Sequence, residues 1–390
     1  MQRFTQDPTD AGFVQNPYPF YDTLRAAGHL AWWEDYNMPC AVSNEAVQAL
    51  LRDRRFGREV PEELKQPVPE HLKPFYAIDD HSMLELEPPR HTRLRSLVLR
   101  AFTSRQIAGL EPQIEALTHE LIDRLPEGEF DLLTEFCQPL PVIVICRLLG
   151  VPENMAQQLL DWSNDMVAMY QARRDRAIED AAAKAATEFS EFLTRYIDER
   201  RKDPREDLIT RLIQAEEDGE KLSHEELITT CVLLLNAGHE ATVHTMGNGL
   251  KLILEQGIEV TPDNALDVAE EVMRVDPPLH MFTRYAYEDI ELWGHTFKRG
   301  DQVALMLGAA NRDPEAWPEP TQFDITRRSS KHTSFGGGLH FCVGAPLARL
   351  ELQIALPILL KRLPDLKLVG TPQYANLYHF HGLESLMVTR

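Results

Sequence analysis

The chain has 390 residues, and its 40 lysines and arginines against 61 aspartates and glutamates give a net charge of −21. Because an acidic surface repels phosphate backbones and anionic lipid headgroups, we expect neither nucleic acid nor a membrane as a partner. Apolar residues make up 43% and charged residues 26% of the chain, a balance that excludes a largely disordered protein.

The cysteines and the N-terminal residues indicate the compartment. The five cysteines are widely spaced and include no CxxC pair, so the sequence predicts neither a disulfide framework nor a zinc ribbon. The first twenty residues are polar and carry prolines, and no run approaches the roughly 18 apolar residues that cross a bilayer. We therefore expect a soluble cytoplasmic protein.

Three helical patterns occupy the first part of the central region. Apolar residues recur at helical spacing over residues 107–125. Residues 139–149 predict a buried helix that ends at the Gly150 turn, and residues 176–202 predict a long solvated helix.

The strongest helical signal begins at Ser223. Ser223 and Glu226 form a capping-box pattern, and the helical pattern continues to about Gly257. A helix of roughly 33 residues is about 50 Å long at 1.5 Å per residue. It must cross the whole protein, so its middle is predicted to be buried.

Short β elements are predicted outside this helical centre. Strand-like segments lie at residues 290–293, 302–307 and 386–389. No repeat, low-complexity segment or Gly/Ser linker divides the chain. We therefore predict a mainly α fold with small β-sheets, formed by residues 1–390 as a single domain.

One cysteine differs from the others in its setting. Residues 335–344 read FGGGLHFCVG, so Cys342 follows three consecutive glycines and precedes a helix-forming stretch. Glycines permit close backbone approach to a bulky group, and a helix N-terminus favours a thiolate. Cys342 is therefore a candidate nucleophile or metal ligand. The remaining cysteines are predicted to be buried structural residues: Cys40, Cys137, Cys146 and Cys231.

The cysteine loop resembles the ligand loop of the cytochrome P450 family, whose pattern is FGxGxHxCxG. The matching positions are Phe335, Gly336, Gly338, His340, Cys342 and Gly344. Residues 271–274, EVMR, resemble the family's ExxR pair, and Arg327 resembles the arginine that joins this pair in the family. ExxR alone is a weak signal, but both motifs occur in the family's order, and the resemblance covers nearly the whole chain.

The resemblance implies a cytochrome P450 fold and a soluble bacterial heme-thiolate monooxygenase. Heme b would lie between the long central helix and the cysteine loop with its following helix. Cys342 would be the axial iron ligand, and its electron donation would favour O–O cleavage. The loop residues Phe335, Gly336 and Gly344 would contact the heme. The heme propionates would be bound by His91, Arg95, Arg284 and His340.

The long helix departs from the family at one position. Residues 237–242 read AGHEAT where the family has Ala/Gly-Gly-x-Asp/Glu-Thr-Thr/Ser. Glu240 matches the acidic residue and Thr242 the second alcohol, but Ala241 replaces the usual threonine. In the family that threonine holds a water for proton delivery, and an alanine side chain cannot form a hydrogen bond.

Three routes around this replacement are open. A substrate hydroxyl could supply the missing group, or Thr242 or His239 could be recruited through water. Alternatively, the site could be poorly coupled or could run a reaction that needs no second proton. Glu240, Ala241 and Thr242 are accordingly the candidate catalytic positions.

The resemblance also implies a substrate pocket of mainly apolar residues. His280 is the predicted polar anchor, and the methionines would allow the pocket to repack around a mainly apolar small organic molecule. The predicted pocket residues are Met166, Met169, Ala237, Ala241, Leu279, His280, Met281, Phe282 and Leu383.

The electron donor is predicted to be a separate protein. The chain has neither a GxGxxG fingerprint nor a set of cysteines for an iron–sulfur cluster. We therefore expect a ferredoxin and an NAD(P)H-dependent ferredoxin reductase as partners. A basic face near the cysteine loop would bind the acidic ferredoxin, and its candidate residues are Arg100, Arg105, Arg327, Arg328, Lys331 and Arg349.

Three other functions compete with this interpretation. A hydrolase could use Cys342 as nucleophile with His340, although no third group is evident to orient the histidine. A heme-thiolate protein could bind a ligand without turnover. A cytochrome P450-type enzyme could also catalyse oxidative coupling or another oxidation that is not a hydroxylation, and product analysis would separate these reactions.

Overall fold

The computed structural model describes residues 1–215, 219–327 and 331–390, and most of these residues are helical. The α-helices in these ranges are α1 (Ala11–Gln15), α2 (Tyr18–Ala26), α3 (Asn44–Leu50), α4 (Lys73–Asp79), α5 (Arg90–Ala101), α6 (Ser104–Ala108), α7 (Glu111–Arg124), α8 (Pro139–Leu149), α9 (Ala156–Val167), α10 (Arg176–Lys202), α11 (Leu208–Gln214), α12 (His224–Gln256), α13 (Ala265–Val275), α14 (Leu307–Ala310) and α15 (Ala345–Arg362).

The strands form three small sheets. They are β1 (Arg3–Phe4), β2 (Leu30–Trp33), β3 (Met38–Ala41), β4 (Phe56–Gly57), β5 (Glu129–Asp131), β6 (Met281–Ala286), β7 (Ile290–Leu292), β8 (His295–Phe297), β9 (Gln302–Met306), β10 (Lys367–Leu368) and β11 (Met387–Thr389). The largest sheet has the order β1-β2-β3-β9-β6-β4, the second has the order β10-β11-β5, and β7 pairs with β8. The prediction of a mainly α fold with small sheets is confirmed.

Helix α12 is the 33-residue helix that the capping box predicts. The Ser223 hydroxyl accepts the Glu226 amide at 3.1 Å, and the Glu226 carboxylate accepts the Ser223 amide at 2.9 Å. Gly257 ends the helix at φ +64, a left-handed conformation that glycine adopts without strain. Because α12 packs against α8, α9 and α13, its middle lies inside the protein.

The other helical predictions differ in outcome. The buried helix over residues 139–149 is confirmed as α8. A helix spans residues 176–202 as predicted, but α10 is not simply solvated, because it buries side chains that include Phe189, Leu193 and Ile197. The apolar pattern over residues 107–125 instead spans the end of α6 and all of α7. Pro112 lies in the first turn of α7, where its missing N–H removes no helical hydrogen bond, so a new helix begins there.

The three predicted strands are confirmed as β7, β9 and β11, but the sequence did not reveal β2, β3 or β6. Burial along β6 does not alternate strictly from residue to residue, so a period of two is absent from its sequence. β6 nevertheless pairs with β9 on one side and β4 on the other. It therefore lies inside the largest sheet, beside the segment that leads out of α13.

The predicted ExxR pair forms a fully buried ion pair on α13. The Arg274 guanidinium donates to both carboxylate oxygens of Glu271, at 2.8 and 2.7 Å, and neither side chain is exposed. Arg327 lies 3.5 Å from the same carboxylate, as the resemblance implies. Arg274 also donates to three backbone carbonyls of the segment before the cysteine loop, those of Asn311, Pro320 and Gln322.

Two glycines that end helices allow a matched test of how much the packing of Asp207 beside Gly150 contributes to stability. Gly150 ends α8 at φ +83, and a Cβ there would collide with Asp207, which forms a buried ion pair with Arg200 at 2.6 Å. Gly257 has φ +64, and a Cβ there would meet no atom within 4 Å.

We predict that Gly257→Ala lowers the free energy of unfolding by about 1–2 kcal/mol, the cost of a left-handed alanine. Gly150→Ala should lower it by about 3–5 kcal/mol, because the Asp207–Arg200 pair must also separate. Urea unfolding followed by circular dichroism measures both changes. Equal decreases in the free energy of unfolding for the two variants would show that the collision with Asp207 adds nothing to the cost at Gly150.

Candidate functional site

Cys342 lies in the loop that precedes α15. Gly336 and Gly338 have φ of +67 and +63, and a Cβ on Gly338 would collide with the carbonyl oxygen of Leu51. Both positions therefore favour glycine. The Cys342 amide donates to the carbonyl oxygen of Phe335 at 3.0 Å, which closes the loop on itself. The repeated glycines therefore allow the backbone of this tight turn to adopt positive φ and to approach Leu51 closely.

The Cys342 thiol has both an apolar and a polar environment. Burial raises the pKa of this thiol above its ordinary value, although the amides of Gly344 and Ala345 and the guanidinium groups of Arg95 and Arg349 oppose the rise. The sulfur is therefore protonated at neutral pH, with donors already placed for its anionic form. A metal ion that binds this sulfur would displace the proton.

A cavity of about 580 Å³ separates Cys342 from the middle of α12. Most of the predicted site residues line it, from α5, α9, α12, β6 and the cysteine loop. They are His91, Arg95, Met166, Met169, Ala237, Glu240, Ala241, Thr242, Leu279, Met281, Phe282, Arg284, Phe335, His340, Cys342 and Gly344. One cavity therefore unites the predicted cofactor contacts with the predicted substrate pocket.

Three predicted site residues lie outside the lining of this cavity: His280, Leu383 and Gly336. His280 is fully buried on the opposite side from its neighbours, and its Nδ1 lies 2.8 Å from the Tyr21 hydroxyl. Leu383 packs in the apolar core, close to Gly247 of α12. Gly336 contributes only its backbone turn. The prediction of His280 as a polar anchor for substrate is therefore wrong.

His280 belongs to a second cluster of ligand-type side chains. Ligand-capable atoms of Asp276, His280 and His381 lie within 4.8 Å of one another. The Asp276 carboxylate already accepts the Tyr18 hydroxyl at 2.9 Å, and the Arg312 guanidinium lies 3.2 Å from the centre of the Tyr18 ring. Because this guanidinium would repel a further cation, we interpret the cluster as a hydrogen-bonded network that supports the cavity wall.

Basic side chains gather at one edge of the cavity. The Arg95 and Arg284 guanidinium groups each donate to a backbone carbonyl, at 2.7 and 2.8 Å, and Nδ1 of His91 is buried without a partner. Burial lowers the pKa of Arg284 to about 10 and that of His91 to about 4. Nε2 of His340 lies 3.0 Å from Glu87.

This edge fits the heme that the sequence resemblance implies. Buried guanidinium groups favour an anionic partner, because burial destabilises their own charge. Two heme propionates would supply that charge beside Arg95 and Arg284. The apolar lining would enclose the porphyrin, and the Cys342 sulfur would face the iron.

Residues between Thr229 and Thr245 of α12 line the cavity, and Glu240 is the acidic residue among them. Nε2 of His244 lies 3.1 Å from one Glu240 oxygen, and Nε2 of His239 lies 3.4 Å from the other. Burial would raise the pKa of Glu240, but the two histidines lower it well below its usual range. Glu240 is therefore ionised. The Thr242 hydroxyl donates to the Gly238 carbonyl at 3.1 Å.

Thr245 and Arg58 are two of the polar cavity residues that the sequence did not reveal. Thr245 lines the cavity one turn after Ala241 and donates to the Ala241 carbonyl at 2.7 Å. Arg58 also lines it, pairs with Glu85 and leaves its Nε buried without a partner. The i, i+4 spacing from Ala241 could have revealed Thr245, but Arg58 lies in a segment without a periodic pattern.

Comparison with known proteins identifies the class. The family model "Cytochrome P450" matches residues 44–256 and 267–367. The chain therefore belongs to the cytochrome P450 family and is a monooxygenase-type oxidoreductase. Within the described ranges, no helix is both long and apolar enough to cross a membrane.

Individual relatives resemble almost the entire chain. The polyketide biosynthesis cytochrome P450 PksS of Bacillus subtilis is 39% identical over 100% of this chain and 99% of its own. The cytochrome P450 monooxygenase PikC of Streptomyces venezuelae is 38% identical over 92% of this chain and 87% of its own. The structure of P450BioI with hexadec-9Z-enoic acid ligated acyl carrier protein has a TM-score of 0.91 at 36% identity, covering 97% and 99% of the two chains.

The environments of the cysteines predict their reactivity once heme has been removed. Cys342 is partly exposed, whereas the other four cysteines are fully buried. A small alkylating reagent should label one thiol per apoprotein chain, more slowly than a free thiol because the pKa of Cys342 is raised. Mass spectrometry counts the label. Labelling of Cys342→Ala to the same extent would show that another cysteine reacts.

Proposed function

We propose that the chain is a heme b enzyme that uses O₂ to hydroxylate a mainly apolar small organic molecule. The observation that carries this proposal is the arrangement of the cavity, with the Cys342 thiol on one wall and the Glu240 carboxylate on the opposite wall. Residues 1–390 would act as one catalytic domain in the cytoplasm.

The proposed heme contacts are the cysteine loop and the basic edge of the cavity. Cys342 would ligate the iron, with Phe335 and Gly344 close to the sulfur side. The two propionates would be bound by His91, Arg95, Arg284 and His340. When bound, the heme supplies O₂ activation, with thiolate donation that favours O–O cleavage.

The protein's own residues would position the substrate and move protons. Met166, Met169 and Ala237 offer an apolar surface that can adapt to shape, opposite Leu279, Met281 and Phe282. Because Glu240 is ionised, it would act as a relay that accepts a proton and passes it to water in the cavity. Thr245 adds a hydroxyl one turn after Ala241, but it donates to the Ala241 carbonyl at 2.7 Å, as Thr242 donates to Gly238, so each hydroxyl offers only its lone pairs to water in the cavity.

The substrate class is supported by the lining and by the relatives. A related structure holds hexadec-9Z-enoic acid on an acyl carrier protein, and another relative is named for polyketide biosynthesis. Both descriptions concern those proteins. For this chain we propose a long apolar substrate, and Arg58 at the polar end of the cavity as a donor to its polar group.

Electrons would come from a ferredoxin and an NAD(P)H-dependent ferredoxin reductase. Of the predicted basic face, Arg100, Arg105 and Lys331 are exposed. Arg349 pairs with Glu270 at 2.5 Å, and Arg327 lies 3.5 Å from the Glu271 carboxylate. The charge of each arginine is therefore partly neutralised and offers less to an acidic ferredoxin. Arg328 lies outside the described residues. The docking surface that we propose is therefore smaller than the sequence indicates.

The first experiment records the absorption spectrum of the reduced carbon monoxide complex. We expect a thiolate-ligated heme in the natural chain, its loss in Cys342→Ala, and its retention in the control Cys146→Ala, whose cysteine is buried away from the loop. A histidine-like complex in the natural chain would contradict the proposal. Titration with hexadec-9Z-enoic acid should then shift the iron to high spin, and product analysis separates hydroxylation from oxidative coupling.

Ala241→Thr tests the proton route. With hexadec-9Z-enoic acid, which has no hydroxyl along its chain, we expect Ala241→Thr to lower the fraction of electrons lost as hydrogen peroxide. With the native substrate we expect little change if that substrate supplies its own hydroxyl. Ala237→Thr is the control, because it adds the same group one turn earlier. Unchanged peroxide release with every substrate would exclude substrate assistance.

A further inference from the structure

Asn236 is a polar residue of α12 that lines the cavity one turn before Glu240. Side chains four positions apart lie on the same face of a helix, so these two side chains are neighbours. The Asn236 Nδ2 lies 3.8 Å from the sulfur of Met166, which lines the cavity from α9. Asn236 therefore belongs to the part of the wall where the two helices meet.

Within the described residues, the Asn236 amide has no strong hydrogen-bond partner. Its Oδ1 is buried, and none of these residues donates a hydrogen bond to it. A thioether sulfur is a weak acceptor, so the contact of Nδ2 with Met166 satisfies the amide only weakly. If the amide were turned over, Nδ2 would lose this contact, and Oδ1 would face a sulfur that cannot donate. In either orientation, a polar end of the amide is left unpaired.

The other polar side chains on this wall of α12 are paired within the protein. Each threonine that α12 presents to the cavity donates to a backbone carbonyl, at 3.1 Å for Thr229, 3.1 Å for Thr242 and 2.7 Å for Thr245. The Glu240 carboxylate lies beside two histidines. Among the described residues of α12, Asn236 is therefore the polar lining residue whose hydrogen bonds are left for a ligand.

The apolar surroundings make the unpaired amide unfavourable. The lining residues of α12 and α9 around the contact with Met166 are largely apolar and include Leu233, Ala237 and Val167. Burial of a polar group without a partner destabilises the folded protein, and a leucine of similar shape would avoid that cost. An asparagine at this position is explained if a bound molecule completes its hydrogen bonds.

We propose that Asn236 determines specificity by binding a hydroxyl group on the apolar substrate. The hydroxyl would donate its hydrogen to Oδ1, and a neutral donor is favoured over a charged one because the surrounding wall is apolar. Asn236 would thereby fix the position of the substrate along α12. Arg58, proposed above for the polar end of the substrate, would be a second and separate contact. This inference rests on the proposed function, because it assigns a contact to the proposed substrate.

Matched ligands test the hydrogen bond at Oδ1. Calorimetric titration of the holoenzyme compares hexadec-9Z-enoic acid, its monohydroxylated positional isomers and their methyl ethers. We expect at least one hydroxy acid to bind about tenfold more tightly than the parent acid and than its own methyl ether, which cannot donate. Asn236→Leu should abolish this preference. If no hydroxy acid binds more tightly than the parent acid, the proposal is wrong.

Thr229→Val is the matched control for Asn236→Leu. It removes a hydroxyl from the same wall, but that hydroxyl already donates to the Ile78 carbonyl. The preference for a hydroxy acid should therefore persist in Thr229→Val. Its loss in both variants would show that the preference depends on the general polarity of the wall, which would contradict a specific contact with Asn236.

Thermal unfolding of the ligand-free holoenzyme provides a second test. Asn236→Leu should raise the melting temperature, because leucine removes the unpaired amide. Thr229→Val should lower it, because valine removes a completed hydrogen bond. A lower melting temperature in Asn236→Leu would show that a protein group or an ordered water already satisfies the amide, and the proposal would be overturned.

The inference and the proposed function fail separately. A natural chain without a thiolate carbon monoxide spectrum overturns the proposed function, and this inference with it. A thiolate spectrum together with a hydroxyl preference that survives in Asn236→Leu overturns the inference alone. If none of the acids binds, the long apolar substrate of the proposed function is wrong, and the melting temperatures still decide whether the Asn236 amide is unpaired.

Discussion

The site depends on the buried pair of Glu271 and Arg274. Removing one partner of a buried, hydrogen-bonded ion pair costs about 3–5 kcal/mol, because the other charge is left without compensation. Arg274 uses its remaining donors for backbone carbonyls of the segment before the cysteine loop, including that of Asn311 at 2.9 Å. The Asn311 side chain bonds in turn to the Ser334 hydroxyl at 2.8 Å and the Thr333 amide at 2.7 Å. A charge on α13 thereby fixes the backbone immediately before Phe335.

The cavity exists because two rigid supports face each other. Helix α12 is capped at both ends and enclosed by α8, α9 and α13, so its central turn cannot move far towards the cysteine loop. The loop is held by its own glycine turns and by the network that begins at Arg274. The charged groups of the space between them lie at the guanidinium edge near Arg95, at Glu240 and near Arg58, and the rest of the lining is mostly apolar. The guanidinium groups therefore lie at the rim of the cavity, and its interior offers mainly apolar surface to a substrate.

Much of this arrangement could be predicted from the sequence, because it depends on local patterns. The capping box at Ser223 determines where α12 begins, and the glycines around Cys342 indicate a turn of unusual backbone geometry. The predicted placement of His280 failed for a different reason. A residue in an extended segment faces one side or the other according to strand register, and that register is set by long-range pairing.

Thr245 and Arg58 show the same limit at the site. The contact of Thr245 follows from helical spacing, but its exposure to the cavity depends on the neighbours that leave that face of α12 open. Arg58 lies far along the sequence from Tyr170, and only the folded chain brings its side chain beside Tyr170 and Asp79 at the cavity. Tertiary packing, which no local pattern encodes, thus decides which polar groups meet the ligand.

The pairing of β3 with β9 has a consequence for synthesis. Cys40 lies opposite Ala304, so 264 residues separate two neighbours in the largest sheet. At 5–20 residues per second, the ribosome needs roughly 13–50 s to supply that neighbour. Throughout this interval the edge of β3 that will pair with β9 stays open, and an open strand edge invites association between nascent chains. In the second sheet Glu129 of β5 lies opposite Thr389 of β11, so 260 residues separate these neighbours, and β5 waits equally long for its partner.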